Sequence, residues 1–227
     1  VDASRGLSGI VIGNNNKGNI SIAADAVVHG GDRKNDLSSN QIDIHQVAGV
    51  RFTGEGTPDF VLDNAGVIDS MNDVVLVNEL HNFVAPGATL AGTLLVNNTG
   101  TMTGYMILSD EDTTFNNFSA NGFNLRNFTD ADSDGVRDTK SIAISDFGGG
   151  NDVFNNQTSG SLRLSAVNTE LHTDTTGEYL VSGALSTANK GTVQAQLLNL
   201  NRFVNSGLID LTENNQAGDV LVISGGS

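Results

Sequence analysis

The run Asp130-Ala131-Asp132-Ser133-Asp134-Gly135-Val136-Arg137-Asp138 sets carboxylates at alternate positions and a glycine at the sixth. Hard oxygens at that spacing suit Ca2+, which takes about 6–8 oxygen ligands, and the glycine permits the sharp turn that wraps them around the ion. Asp130, Asp132, Asp134 and Asp138 would supply side-chain oxygens, and Val136 its backbone carbonyl. The twelfth position is Ser141, where an EF-hand loop carries a bidentate Glu, and no helical pattern flanks the run. The expectation is a structural calcium loop of modest affinity, set against the plainer reading of an acidic surface loop.

Other residues invite chemistry less strongly. Gly148-Gly149-Gly150-Asn151-Asp152 shares a texture with the glycine-rich nonapeptide of calcium β-rolls. That site needs adjacent copies, and the motif stands alone, so it reads as a glycine corner. Asp59, Asp63 and Asp69, or Asp110, Glu111 and Asp112, could form the carboxylate cluster of a carbohydrate-active enzyme; solvated acids are the default alternative. His29, His45, His81 and His172 are scattered and match no close metal spacing. There is no Gly-x-Ser-x-Gly elbow, no phosphate-binding loop and no dinucleotide fingerprint. Zero cysteines exclude disulfides, thiolate metal sites and cysteine nucleophiles. Acids outnumber bases 26 to 11, for a net charge of −15, which argues against nucleic acid and against an anionic membrane surface. Asn117-Phe118-Ser119 and Asn127-Phe128-Thr129 are sequons that an Asn-rich chain produces by composition.

The elements that must position such residues are short. Apolar residues come in bursts of 3 to 5, either alternating, as at Ile20 and Ile22, Ile42 and Ile44, Phe123 and Leu125, or Ile142 and Ile144, or continuous, as at Val74 to Val77, Leu94 to Val96 and Val220 to Ile223. Such bursts read as strands. Glycine and asparagine, 27 of each, stand between them and allow tight corners. With only 2 prolines, most backbone N–H groups are free to pair along a ladder. Val193, Leu197, Leu200 and Val204 fit a helical stripe, but the same stretch also alternates, and strand is preferred there. No apolar run approaches the roughly 20 residues of a membrane-spanning helix.

Leu80-His81-Asn82-Phe83-Val84-Ala85-Pro86-Gly87 aligns with Leu200-Asn201-Arg202-Phe203-Val204-Asn205-Ser206-Gly207. A looser set places an Asn shortly before a Gly: Asn64-Ala65-Gly66, Asn98-Thr99-Gly100, Asn156 to Gly160, and Asn205-Ser206-Gly207. Phe60, Phe154 and Phe203 stand a few residues upstream of three of these. Degenerate repeats of strand, Asn/Gly corner and strand predict a parallel β-solenoid, in which like side chains stack and corner asparagines form ladders. At roughly 20–25 residues per coil the chain would make about ten rungs. The long stretches 29–41 and 109–139 are expected as inserted loops. A β-sandwich competes, yet Asn121-Gly122 is the lone Asn-Gly hairpin dipeptide.

The run Arg202 to Leu211, followed by Ala217-Gly218-Asp219-Val220-Leu221-Val222-Ile223-Ser224-Gly225-Gly226, resembles the passenger of a monomeric autotransporter, a surface protein of Gram-negative bacteria. Asp146 to Asn156 is similar to a coil phrase common in that family. The likeness spreads over most of the chain and is strongest from about residue 141 onward. It implies an all-β, right-handed parallel β-helix running through residues 1–227 as part of a longer passenger. It also implies a C-terminal outer-membrane β-barrel in the same protein, and a secreted or cell-surface location. The function expected is non-catalytic adhesion to a host cell-surface or extracellular-matrix protein or glycan. The alternatives are a polysaccharide lyase or hydrolase on a β-helix, and a stalk or folding module of the passenger.

Overall fold

The computed structural model describes residues 8–13, 17–30, 48–54, 57, 59–79, 92–126, 143–165, 169–174, 177–182, 194–211 and 220–225. Their elements are all strands: β1 (Ser8–Ile12), β2 (Lys17–Ile22), β3 (Val27–His29), β4 (Ala48–Gly54), β5 (Asp59–Asn64), β6 (Val67–Glu79), β7 (Thr93–Asn98), β8 (Thr101–Ile107), β9 (Asp112–Asn117), β10 (Phe123–Arg126), β11 (Ala143–Asp146), β12 (Val153–Asn156), β13 (Ser161–Ser165), β14 (Thr169–Asp174), β15 (Gly177–Ser182), β16 (Gln194–Leu198), β17 (Arg202–Asn205), β18 (Leu208–Asp210) and β19 (Val220–Ile223).

Pairing sorts these strands into three parallel columns. The order β2-β5-β7-β9-β12-β17 makes a six-stranded sheet by itself. A second column runs β1-β4, the latter part of β6, the end of β8, then β11-β16-β19. The third runs β3, the start of β6, the start of β8, then β10-β13-β18. Because β6 and β8 each serve both of these columns, the two join as one 11-stranded curled sheet. The register shifts between Asp69 and Val75, alongside Gly104 with φ 143°, so the joint falls where the pairing is irregular and glycine tolerates the backbone. Among the described residues, only β14 and β15 pair antiparallel, and they pair with each other. This arrangement overturns the sandwich alternative. It also resolves the 193–204 ambiguity as strands β16 and β17, with a corner at Asn199 whose φ is 62°.

Alternation explains the core. Along the six-stranded sheet, Ile20, Leu62, Val96, Phe115 and Phe154 are buried and stack in register, with Phe203 next in line. The Phe115 and Phe154 rings lie 4.8 Å apart at 8°, and Phe154 and Phe203 lie 5.5 Å apart. Facing them across the interior are Phe52, Ile68, Met102, Phe123 and Leu162. Each stacked aromatic pair adds about 0.5–1.5 kcal/mol beyond the area it buries.

Two expectations need correction. Among the described residues the single-column sheet holds six strands, about 24 Å deep at the usual strand spacing, against the roughly ten rungs expected. The separations between stacked asparagines are 34, 19, 39 and 49 residues, so most coils carry added length. The expected loop 109–139 also contains β9 and β10. Its strand Asp112-Thr113-Thr114-Phe115-Asn116-Asn117 has one apolar residue, since Thr113 fills an inward position held by Phe60 and Leu94 on the preceding strands and Asn117 fills an inward position that asparagine also holds on the neighbouring strands, and the hydrophobic pattern hides it. The segment Leu80 to Gly87 and most of 29–41 lie outside the described residues.

Candidate functional site

Two polar constructions interrupt the apolar interior. The first is a ladder. Asn64, Asn98, Asn117, Asn156 and Asn205 occupy one inward position on successive strands. Each amide nitrogen donates to the next carbonyl oxygen: Asn64 to Asn98 at 2.8 Å, Asn98 to Asn117 at 3.1 Å, Asn117 to Asn156 at 2.9 Å, and Asn156 to Asn205 at 2.7 Å. The second amide hydrogen goes to a backbone carbonyl one strand on, namely Thr101, Gly122, Ser161 and Leu208. An amide carries two donors and an acceptor, so one residue type ties a corner to its own coil and to the next. The acceptor of Asn64 is buried without a partner, because the ladder position before it is Ile22. Asn117 is fully buried, which removes its sequon from any glycosylation machinery. An outward ladder runs parallel, with Asn97 donating to Asp63, Asn116 to Asn97, and Asn155 to Asn116.

The second construction is a stack of three corners: Ser109 to Asp112, Asp146 to Asp152, and Asn199 to Asn201. Leu108 N–H donates to the Asp146 carbonyl and Gly149 N–H to that of Ser109. Phe147 N–H reaches the Leu198 carbonyl, and Asn201 and Arg202 N–H both reach that of Asp152. Gly148 and Gly150 have φ of 74° and 93°, and a Cβ at Gly148 would strike the Ser109 carbonyl. The glycine run is therefore a close-packed corner, as read from the sequence.

This stack gathers Asp110, Glu111, Asp112, Asp146 and Asp152. One oxygen of each of four carboxyls is held by a donor. Glu111 Oε2 accepts from Ser109 N–H at 3.1 Å, and Asp152 Oδ1 from Thr113 N–H at 3.0 Å. Asp112 Oδ1 accepts from Asn151 N–H, and Asp146 Oδ1 from Gly148 N–H and Asn199 Nδ2. Glu111 and Asp152 are wholly buried, and Glu111 Oε1 and Asp152 Oδ2 have no hydrogen-bond partner. The Thr113 hydroxyl lies near the Asp152 carboxyl and favours its charged form, yet closes no hydrogen bond of ordinary geometry. Asp152 lies in line with Thr113, Leu94 and Phe60, an inward position that earlier coils fill with apolar atoms. Burial pushes the Glu111 carboxyl up to about 8 and that of Asp152 up to about 7, with neighbouring carboxylates adding to both shifts.

The sequence-predicted residues fare unevenly. Asp130, Asp132, Asp134, Val136 and Asp138 lie outside the described residues. Among the described residues, no group of three or more His, Asp or Glu side chains is arranged to hold a metal. Asp59, Asp63 and Asp69 do not converge. The first two point outward from β5 four residues apart, about 13 Å along the strand, each bonded to its neighbour on β7. Asp69 belongs to β6 in the other sheet, where His29 Nδ1 lies 3.9 Å away. Asp110, Glu111 and Asp112 do sit together, but Glu111 is sealed inside a corner and reaches no groove. Their meeting with Asp152 was missed. The signal was the phrase Phe-Asn-Asn at Phe115 and again at Phe154, whose separation lays Asp112 beside Asn151.

No family model matches this chain, nor does any curated protein or solved structure. No helix among the described residues is long and apolar enough to cross a membrane.

Proposed function

We propose that the chain is a segment of a right-handed parallel β-helix. In this reading it belongs to a secreted or outer-membrane-anchored passenger of the autotransporter type, and it serves adhesion without catalysis. The observation that carries the reading is the unbroken asparagine ladder from Asn64 to Asn205, which ties five successive coils in strict register. Handedness follows from the general rule that crossovers between parallel strands of one sheet turn right-handed in about 98% of cases. A stack so cross-linked is stiff along its axis and can hold contact surfaces away from a membrane, where many weak contacts add through avidity. The β14–β15 hairpin lies off the columns, in the longest gap of the ladder, and suits the role of a contact element for a host cell-surface or matrix protein or glycan. A chain without cysteine also suits export in an unfolded form through a C-terminal outer-membrane barrel.

The test is binding of the purified chain, and of a variant lacking residues 169–182, to immobilised matrix proteins and host cells, alongside small-angle scattering. An elongated particle whose saturable binding drops on removal of the hairpin supports the reading. A compact particle, or sustained release of unsaturated product from uronate polymers, would replace it.

A further inference from the structure

We propose that Asn121 is a latent deamidation site, held closed by the hydroxyl of Ser119, and that reaction there unlocks the corner between β9 and β10. Asn121-Gly122 is the lone Asn-Gly pair of the chain. Asn121 is exposed at the turn, whereas Gly122 is buried. Ser119 is buried too, and its Oγ accepts from the Asn121 N–H at 3.1 Å and from the Gly122 N–H at 3.2 Å. The Gly122 carbonyl accepts from Met102 N–H at 3.2 Å and from the ladder amide of Asn98 at 3.4 Å. A φ of 83° and the Ser161 carbonyl, which a Cβ would strike, favour glycine at this position.

The chemistry follows from that glycine. With no Cβ on residue 122, nothing shields its nitrogen from the side chain before it. Once hydroxide removes its proton, the Gly122 nitrogen can bond to Asn121 Cγ. The Cγ–Nδ2 bond then breaks, and the leaving nitrogen takes a proton from water and departs as ammonia. A further water opens the resulting imide ring at either carbonyl and leaves aspartate or isoaspartate at position 121. The net change consumes one water and releases one ammonia. Its first step needs the Gly122 N–H free and open to solvent base, the same requirement that governs amide hydrogen exchange. In the folded corner that N–H is bonded to Ser119 and belongs to a buried residue, so reaction waits for the corner to open. The ladder residues Asn98 and Asn156 are followed by Thr99 and Gln157, and their amides are bonded to the next coil, so they meet neither condition.

Isoaspartate carries the main chain through the side-chain methylene and so lengthens it by a carbon. Ser161 fills the side of Gly122 where even a Cβ would sit, so the longer link has no room there. It must pull the Gly122 carbonyl away from Met102 and Asn98, in the shortest circuit of the ladder. The reaction thus traps the opened corner irreversibly.

The experiment ages the full chain at mildly alkaline pH, folded or in urea, and follows position 121 by mass spectrometry and an isoaspartate assay. Hydrogen exchange at the Gly122 and Val96 amides is read in parallel. The folded chain should react at least about tenfold more slowly than the chain in urea, with the Gly122 amide protected. Ser119→Ala should speed reaction and Gly122 exchange at least about threefold while Val96 exchange stays unchanged. Equal rates folded and in urea overturn the proposal. So does a Ser119→Ala chain with unchanged rates, or one in which Val96 exchange rises as much as Gly122 exchange. The parent and Asn121→Gln, both aged in urea and refolded, test the unlocking: the parent should melt lower, and equal midpoints overturn that half.

Discussion

Asn117→Ala removes the middle rung of the buried ladder, and its effect can be worked from the contacts. Three hydrogen bonds vanish: from Asn98 at 3.1 Å, to Asn156 at 2.9 Å, and to the Ser161 carbonyl at 2.9 Å. The Asn156 oxygen is left buried without a donor and the Ser161 carbonyl loses its side-chain donor, while Asn98 keeps a weak bond to the Gly122 carbonyl at 3.4 Å. Each orphaned buried group costs about 1–3 kcal/mol, and the small void adds to that. The total is about 2–5 kcal/mol, equivalent to roughly 4–20 °C in thermal midpoint for a chain of this size. Asn205 is the last rung and exposed, so Asn205→Ala should cost no more than about 1 kcal/mol. Asn117→Asp keeps the shape but turns oxygens toward the Asn156 and Ser161 oxygens, and should be at least as damaging as alanine at neutral pH. Urea unfolding followed by circular dichroism, extrapolated linearly, measures all three. Equal losses for Asn117→Ala and Asn205→Ala would refute the argument that the buried ladder holds the coils in register.

Ile22→Asn would place an amide opposite the partnerless Asn64 oxygen, so it should cost at least 1 kcal/mol less than Ile20→Asn, which buries an amide among apolar groups; urea unfolding of both decides. In metal-free buffer the thermal midpoint should fall between pH 5 and pH 9. Glu111 and Asp152 titrate in the folded chain near 8 and 7, above their ordinary 4.5 and 3.8, so their contribution is full below those ordinary values and drains away as pH rises through 7 and 8. The loss from Glu111 is on the order of a few kcal/mol, and Glu111→Gln should flatten the upper part of the curve; an unchanged slope contradicts the assignment. Gly148→Ala should destabilise by at least about 2 kcal/mol, since the backbone is left-handed there and the new methyl meets the Ser109 carbonyl, whereas Ala120→Gly, at an exposed turn, should move the midpoint little.

Much of this architecture was legible because its rules are local. Alternation marked β2 and β10 and their inward faces, and continuous bursts marked β7 and β19; in β11 the alternation of Ile142 and Ile144 marked a strand but not its inward face, which carries Ser145 in line with Leu197. The Asn-before-Gly set picked out four of the five ladder residues, because an asparagine that bonds across coils also precedes the glycine that lets the next corner approach. Asn117 escaped, as Phe118 to Asn121 separates it from Gly122. The acidic corner was visible as two unrelated fragments. Joining them required the 39-residue offset between Asn117 and Asn156, and offsets here vary from coil to coil with whatever is inserted. β9 was hidden for a different reason: threonine and asparagine occupy its interior positions, so hydropathy carried no trace of a strand whose stability rests on one phenylalanine and a hydrogen-bonded amide.

The 19-residue separation between Asn98 and Asn117 is the shortest circuit of the column. Everything needed to complete a turn and hand over to the next lies inside that stretch: two strands, one glycine-bearing corner, and an amide at each limit. It works as a unit of currency for growth, because copying it lengthens the object without demanding any new partner residues. Larger detours elsewhere then amount to cargo hung on a minimal thread, free to diverge while the thread itself stays fixed.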